Sequence, residues 1–221
     1  MSAASPTFEF ERELFASGAN VIIGCDEVGR GAIAGPVAVG VAAFFADADG
    51  IPEGLRDSKL LSEAKREALY PVVSEWAPFW AVGMADNAEV DSLGIVPGLA
   101  LAAVRALESL VVAGVPVESA IVLLDGKHDW LTPALADWAE GTRPRVITRI
   151  KADRDCAAVS AASVLAKVQR DRLMIEADAR HPGYEWSSNK GYGCAAHTDA
   201  VARLGASELH RWSWLKQPAL F

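Results

Sequence analysis

The chain has 221 residues, 51% hydrophobic and 23% charged, the composition of an ordinary globular protein with enough apolar material for a sizeable core in one large domain or two small ones. Its net charge of −8 argues against indiscriminate adhesion to nucleic acid. No apolar run is expected to reach the ~18 residues of a bilayer span, and MSAASPTFEFERELF has acids where a secretory signal has a basic start, so a cytoplasmic protein with no membrane partner is expected.

In chain order, ANVIIGCDE reads as a buried strand and VAVGVAAFF as a second, close enough to pair with it antiparallel. LRDSKLLSEAKREALYPVVSEW predicts a helix ending near Trp76, with Ser62 as N-cap and Asp57 or Ser58 at an earlier turn. FWAVGMAD returns to strand. NAEVDSLGIVPGLALAAVRALESLVVAG is mostly helix, with a boundary or kink at Pro97 and a stop at Gly114. SAIVLLDG and PRVITRIKAD are two further strands, joined by a loop or short helix over HDWLTPALADWAEGTR. CAAVSAASVLAKVQRDRLMIEADAR is a long helix that gives way at HPG. The pattern implies an α/β domain with a mixed sheet and helices on both faces, followed from Tyr184 by a glycine- and tryptophan-rich tail.

Three predicted strands end on acids: Asp26 and Glu27 on the first, Asp125 on the fourth, and Asp153 just past the fifth. Strand ends are where ligands bind in open α/β sheets, and crowded carboxylates are relieved by protonation or by a divalent cation. A set of oxygen donors without a His/Cys cluster selects Mg²⁺ or Mn²⁺ over zinc. Four acids can hold two such ions ~3.5 to 4 Å apart, an arrangement that hydrolyses phosphodiesters. No G-x-x-x-x-G-K-[ST] loop is present to cradle a triphosphate, which disfavours a small-molecule phosphotransferase. Gly29-Arg30-Gly31 follows the first acids and reads as a backbone-plus-guanidinium grip on a sugar-phosphate.

Cys25, Cys156 and Cys194 are odd in number and lack C-x-x-C spacing, so they read as free thiols. Basic charge concentrates late: residues 141–172 hold eight Lys/Arg against three acids. Lys59, Lys167, Arg170, Arg172, Lys190 and Arg211 are therefore candidate phosphate contacts. His197 and His210 are expected to make structural hydrogen bonds, and the tryptophans to pack.

DEVGRGAIAGPV, DSKLLSEAKRE, LLDG, KADRDCAAVSAASVLAKVQRDRLM, NKGYGCAAH and LHRWSW, in that order over residues 20 to 214, resemble bacterial ribonuclease HII. The resemblance implies a ribonuclease H-like fold: a central mixed five-stranded sheet flanked by helices, with a small C-terminal helical extension. It divides the chain into a leader at 1–19, a catalytic domain at 20–183 and an extension at 184–221 that contributes to substrate binding. It assigns Asp26, Glu27, Asp125 and Asp153 as catalytic metal ligands for Mn²⁺ or Mg²⁺. The implied activity is endonucleolytic cleavage of RNA in RNA/DNA hybrids and incision 5′ to ribonucleotides in duplex DNA by a monomer, leaving 3′-hydroxyl and 5′-phosphate ends. Gly29, Arg30 and Gly31 would sense the ribose 2′-hydroxyl, the group that separates RNA from DNA. Tyr192 would pack on the next deoxyribose. The chain departs from the family at Ala152, commonly glycine, at Asp155, an added acid, and at the Trp212 and Trp214 tail. A non-catalytic nucleic-acid-binding protein of the same fold is the alternative.

Overall fold

The computed structural model describes residues 5–136, 138 and 143–215. Five strands appear where the sequence places them: β1 (Ile22–Val28), β2 (Val37–Phe44), β3 (Phe79–Ala85), β4 (Ile121–Asp125) and β5 (Arg145–Arg149). They form one mixed sheet in the order β3-β2-β1-β4-β5. The β1–β2 and β2–β3 pairs are antiparallel, and β1–β4 and β4–β5 are parallel. The helices are α1 (Glu9–Ala16), α2 (Glu63–Trp76), α3 (Asn87–Leu93), α4 (Ile95–Val112), α5 (Ala152–Asp155), α6 (Ala157–Arg180), α7 (Trp186–Asn189) and α8 (Ala195–Leu204).

Alternation along β1 divides the core. Ile23 and Cys25 join Val37, Val39 and Val41 of β2 and the Leu99, Ala103 and Leu107 face of α4 on one side of the sheet. On the other, Ala42 and Phe44 meet Ala158, Ala162 and Leu165 of α6 and Val73 of α2. Two glycines set how closely α6 approaches. A Cβ at Gly24 would lie 2.2 Å from the Ala158 carbonyl carbon, and one at Gly40 would lie 2.4 Å from the Ala162 oxygen. The small residues of α6 thus rest on bare backbone, which carries Ser163 and Lys167 up to the end of β1.

Ser62 caps α2 as expected, its hydroxyl accepting from the Lys65 N–H. Asp57 caps a 3₁₀ turn at Ser58–Leu60, accepting from the Lys59 N–H at 2.8 Å. The expected break at Pro97 lies instead at Gly94, whose φ of 88° separates α3 from α4. Pro97 sits within the first turn of α4, where a missing N–H leaves no intrahelical bond unmade. The segment Ile95–Val112 is also long and apolar enough by composition to cross a membrane, contrary to the sequence expectation. Its Leu99, Ala102, Ala103, Ala106, Leu107 and Leu110 are buried in this fold, the pattern of a core helix. The predicted loop after β4 contains a 3₁₀ turn at Thr132–Leu135; residues 137 and 139–142, like 216–221, lie outside the described residues.

Beyond α6 the chain returns to β1. Isolated bridges join Ala32 to Tyr192 and Ala34 to His210, so residues 184–215 are tied to the loop that leaves the first strand.

Candidate active site

Asp26 and Glu27 are adjacent on β1 and so point to opposite faces, yet both border one cleft because the strand ends there. The cleft has a volume of about 510 Å³. Asp26, Glu27, Asp125, Lys59 and Ser163 line it together with Gly29, Arg30, Gly31, Lys167 and Tyr192. Asp153 is joined to it through two contacts. Its backbone N–H donates to Asp125 Oδ1 at 3.3 Å, and its Oδ2 accepts from Lys59 Nζ at 3.1 Å.

Burial raises all four carboxyls above their ordinary values. Asp26, 4% exposed, is pushed up to about 7, with Glu27 and Asp125 adding repulsion while Lys59 and a hydrogen bond from Ser163 oppose it. Glu27 is raised by burial against the pull of Arg30, whose Nη1 lies 3.4 Å from Glu27 Oε1. Asp125 is raised by burial and then by the charge of Asp153; Asp153 is raised by burial and by Asp57 against Lys59. At Lys59, burial lowers the ammonium, but the charges of Asp26 and Asp153 outweigh it and hold it above its ordinary value.

Among the described residues no three carboxyl, imidazole or thiol groups close around a single point. The donor set nevertheless fits hard divalent cations. It is made of carboxylate oxygens at the ends of β1 and β4 and at the start of α5, each carboxyl raised by burial, with Lys59 as the cation that neutralises Asp26 and Asp153.

In the same cleft, the Gly29 N–H donates to the Tyr192 hydroxyl at 3.1 Å. The Tyr192 ring is flanked by Arg170 and Lys167, 5.5 and 5.7 Å from its centre. Gly29 has a φ of 79°, and a Cβ there would strike the Arg170 guanidinium at 2.0 Å. Gly31 differs: a Cβ on it meets nothing within 4 Å, so the fold itself does not require glycine at that position.

The basic residues divide. Lys59 has an exposed side chain, and Lys167 borders the cleft while paired with Asp171 at 2.6 Å. Arg170 is corrected from phosphate contact to internal tie: it is fully buried and donates to the carbonyls of Pro36, Lys190 and Ala34 at 2.8, 2.8 and 3.2 Å. Lys190 is likewise buried, held by Glu63 at 3.0 Å and by the Ser187 carbonyl. Arg172 pairs on the surface with Glu67, and Arg211 is buried.

His197 and His210 make structural hydrogen bonds. His210 Nδ1 accepts from the Ser207 N–H at 2.9 Å, which leaves its Nε2–H to donate to His197 Nε2 at 3.1 Å. Trp186 Nε1 donates to the same His197 nitrogen at 2.9 Å, so His197 Nδ1 carries the proton and donates to the Tyr192 carbonyl at 2.9 Å. Trp186 is buried, whereas Trp212 is 59% exposed. The sequence did not disclose Ser58 and Ser163, whose hydroxyls meet at 2.9 Å beside Asp26, or Asp57 as a charge next to Asp153. Their only signal was nearness to DSK and to the small-residue face of α6.

An antiparallel β1–β2–β3 meander continued by parallel β4 and β5, with acids at the ends of β1 and β4, defines a ribonuclease H-like nuclease fold. The ribonuclease H2 of Pyrococcus horikoshii superposes with a TM-score of 0.68 at 25% identity, covering 88% of this chain and 93% of that one. Bst-RNase HIII in complex with Mn²⁺ superposes at 0.58 and 26% identity over 84% of this chain and 70% of that one. The family model described as Ribonuclease HII matches residues 23–217. The Ribonuclease HII of Streptomyces avermitilis is 45% identical over 216 residues, 97% of this chain and 86% of the relative. The chain belongs to the ribonuclease HII family. It is an endoribonuclease of the ribonuclease H class that degrades the RNA of RNA/DNA hybrids.

Proposed function

We propose that this endonuclease also incises duplex DNA on the 5′ side of an embedded ribonucleotide, leaving 3′-hydroxyl and 5′-phosphate ends, as a cytoplasmic monomer. The observation that carries the reading is that one cleft is lined by Asp26, Glu27 and Asp125 together with Gly29, Arg30, Gly31 and Tyr192. Asp26, Glu27, Asp125 and Asp153 would hold Mn²⁺ or Mg²⁺. Bound there, the metal supplies an activated water and charge stabilisation for the leaving 3′ oxygen.

The protein's own groups do the rest. Gly31 leaves room for a ribose to approach the main chain, and Arg30, half-exposed at the side chain, reaches out from it. Tyr192, fixed through its hydroxyl to Gly29, offers its ring to the neighbouring deoxyribose, where a further 2′-hydroxyl would be crowded. Lys59 and Lys167 supply positive charge beside the acids, and residues 184–215 hold Tyr192 in place, the contribution of the 184–221 extension to substrate binding.

The test is a substrate panel with Mn²⁺ or Mg²⁺: an RNA/DNA hybrid, a DNA duplex with one ribonucleotide, and an all-DNA duplex. The wild-type protein cuts the first two and Asp125→Asn cuts neither while remaining folded. Degradation of the hybrid alone would refute action at embedded ribonucleotides.

A further inference from the structure

Arg211, which does not line the cleft, is fully buried, and every hydrogen bond its guanidinium makes goes to a main-chain carbonyl of the Gly29–Pro36 loop. Nε donates to Gly35 at 3.1 Å, Nη1 to Arg30 at 3.1 Å and Nη2 to Gly29 at 2.8 Å. Its own backbone N–H donates to Ile33 at 2.8 Å, so the residue is stitched to this loop from both ends. Taking a cation out of water with carbonyl dipoles as its partners is costly, and a stretch of loop needing no fixed orientation would not require it.

What the arrangement fixes is the direction of two peptide planes. In a trans peptide the N–H points opposite to the C=O of the same unit. Drawing the Gly29 and Arg30 carbonyls inward onto Arg211 therefore turns the N–H groups of Arg30 and Gly31 the other way, toward the cleft that both residues line. Neighbouring donors are already used: Gly29 N–H by the Tyr192 hydroxyl, Ala32 N–H by the Gly29 carbonyl, Ile33 N–H by the Gly191 carbonyl. Among the described residues the Arg30 and Gly31 N–H groups have no partner in the protein. Two successive free N–H groups form a concave anion- or hydroxyl-binding site.

We propose that Arg211 is a positioning residue for ribonucleotide selectivity: it holds the Gly29 and Arg30 peptides so that the Arg30 and Gly31 N–H groups meet the sugar-phosphate of the ribonucleotide. The inference rests on the function proposed above. A lysine keeps the charge but is a single point with no fork, and cannot span carbonyls from Gly29 to Gly35. Arg170 ties the same loop at Pro36 and Ala34, beyond the two peptides in question, so it does not substitute for Arg211.

The experiment measures kcat and KM of wild type and Arg211→Lys on a DNA duplex with one ribonucleotide, with Mn²⁺ affinity of each protein by calorimetry. Arg211→Lys raises KM about ten-fold or more, the loss expected for charge-assisted hydrogen bonds, while kcat stays within about three-fold. Mn²⁺ affinity matches wild type, because the Arg211 guanidinium bonds only to loop carbonyls and to none of the four acids. An unchanged KM, a fall in kcat alone, or a parallel loss of Mn²⁺ affinity overturns the proposal. Should Arg211→Lys not fold, Gly31→Pro, which deletes one of the two N–H donors with Arg211 in place, carries the same expectation and the same refutation. Failure of wild type itself to cut at the ribonucleotide refutes the proposed function, an outcome distinct from wild-type cutting with variants unaltered.

Discussion

Replacing Asp26 by Asn removes a carboxyl that the fold holds at about 7 instead of the ordinary 3.8. With the group 4% exposed, that displacement corresponds to about 4 kcal/mol of penalty on the charged form. The sign follows from proton binding. Between pH 3.8 and about 7 the folded metal-free protein binds more protons at this site than the unfolded chain, so stability falls as pH rises through that window. Above pH 7 the full penalty is present, and Asn, which carries no charge, avoids it. In chelator, urea melts of Asp26→Asn and wild type nearly coincide around pH 4 and diverge to about 4 kcal/mol in favour of the variant at pH 8, or about 10 °C in Tm. The same variant does not cleave. Glu11, also held near 7, acts on wild type in the same direction, so the difference between proteins and not either curve alone isolates Asp26. A variant no more stable than wild type at pH 8, or a gap independent of pH, would refute the reading of Asp26 as a strained carboxylate.

Gly31→Ala leaves the melting temperature unchanged, since its Cβ meets nothing in the protein, but lowers kcat/KM on a ribonucleotide-containing duplex about ten-fold or more; a kinetically silent variant would remove Gly31 from the substrate path. Gly24→Ala drives a Cβ into the Ala158 carbonyl and destabilises by about 1–3 kcal/mol or more in urea melts, because α6 must lift from the sheet. His210 is held down at about 4 by burial, so the folded state binds fewer protons here than the unfolded chain, and stability is lost as pH falls from 6.5 toward 4. His210→Gln flattens that acid limb by about 3 kcal/mol relative to wild type, read from melts across the same window.

Much of this was legible in the chain because burial and chemistry left local marks. The strands β1 to β4 are apolar runs, and those of β1 and β4 end on acids that mark the cleft. Ser62 and Gly114 gave helix ends through their capping chemistry. Pro97 misled because proline is tolerated in a first turn, while the real break needed only the positive φ of Gly94. Arg170 and Lys190 read as surface cations because sequence shows charge and not cover: Arg170 is enclosed by carbonyls from Ala34, Pro36 and Lys190, brought in from two distant segments. Arg211 read as a phosphate contact for the same reason, since the carbonyls of Gly29 and Arg30 that enclose it come from the other end of the chain. Ser163 lay hidden in an alanine-rich helix and reaches Asp26 only because Gly24 and Gly40 let α6 settle on the sheet.

The most direct measurement maps the ends released by wild-type protein with Mn²⁺ or Mg²⁺ from a DNA duplex bearing a single ribonucleotide. A single cut on its 5′ side, leaving a 3′-hydroxyl and a 5′-phosphate, is the predicted result. A cut 3′ to the ribonucleotide, or a 2′,3′-cyclic phosphate end, would contradict water-mediated hydrolysis at the four acids and the reading of the Gly29–Gly31 loop with Tyr192.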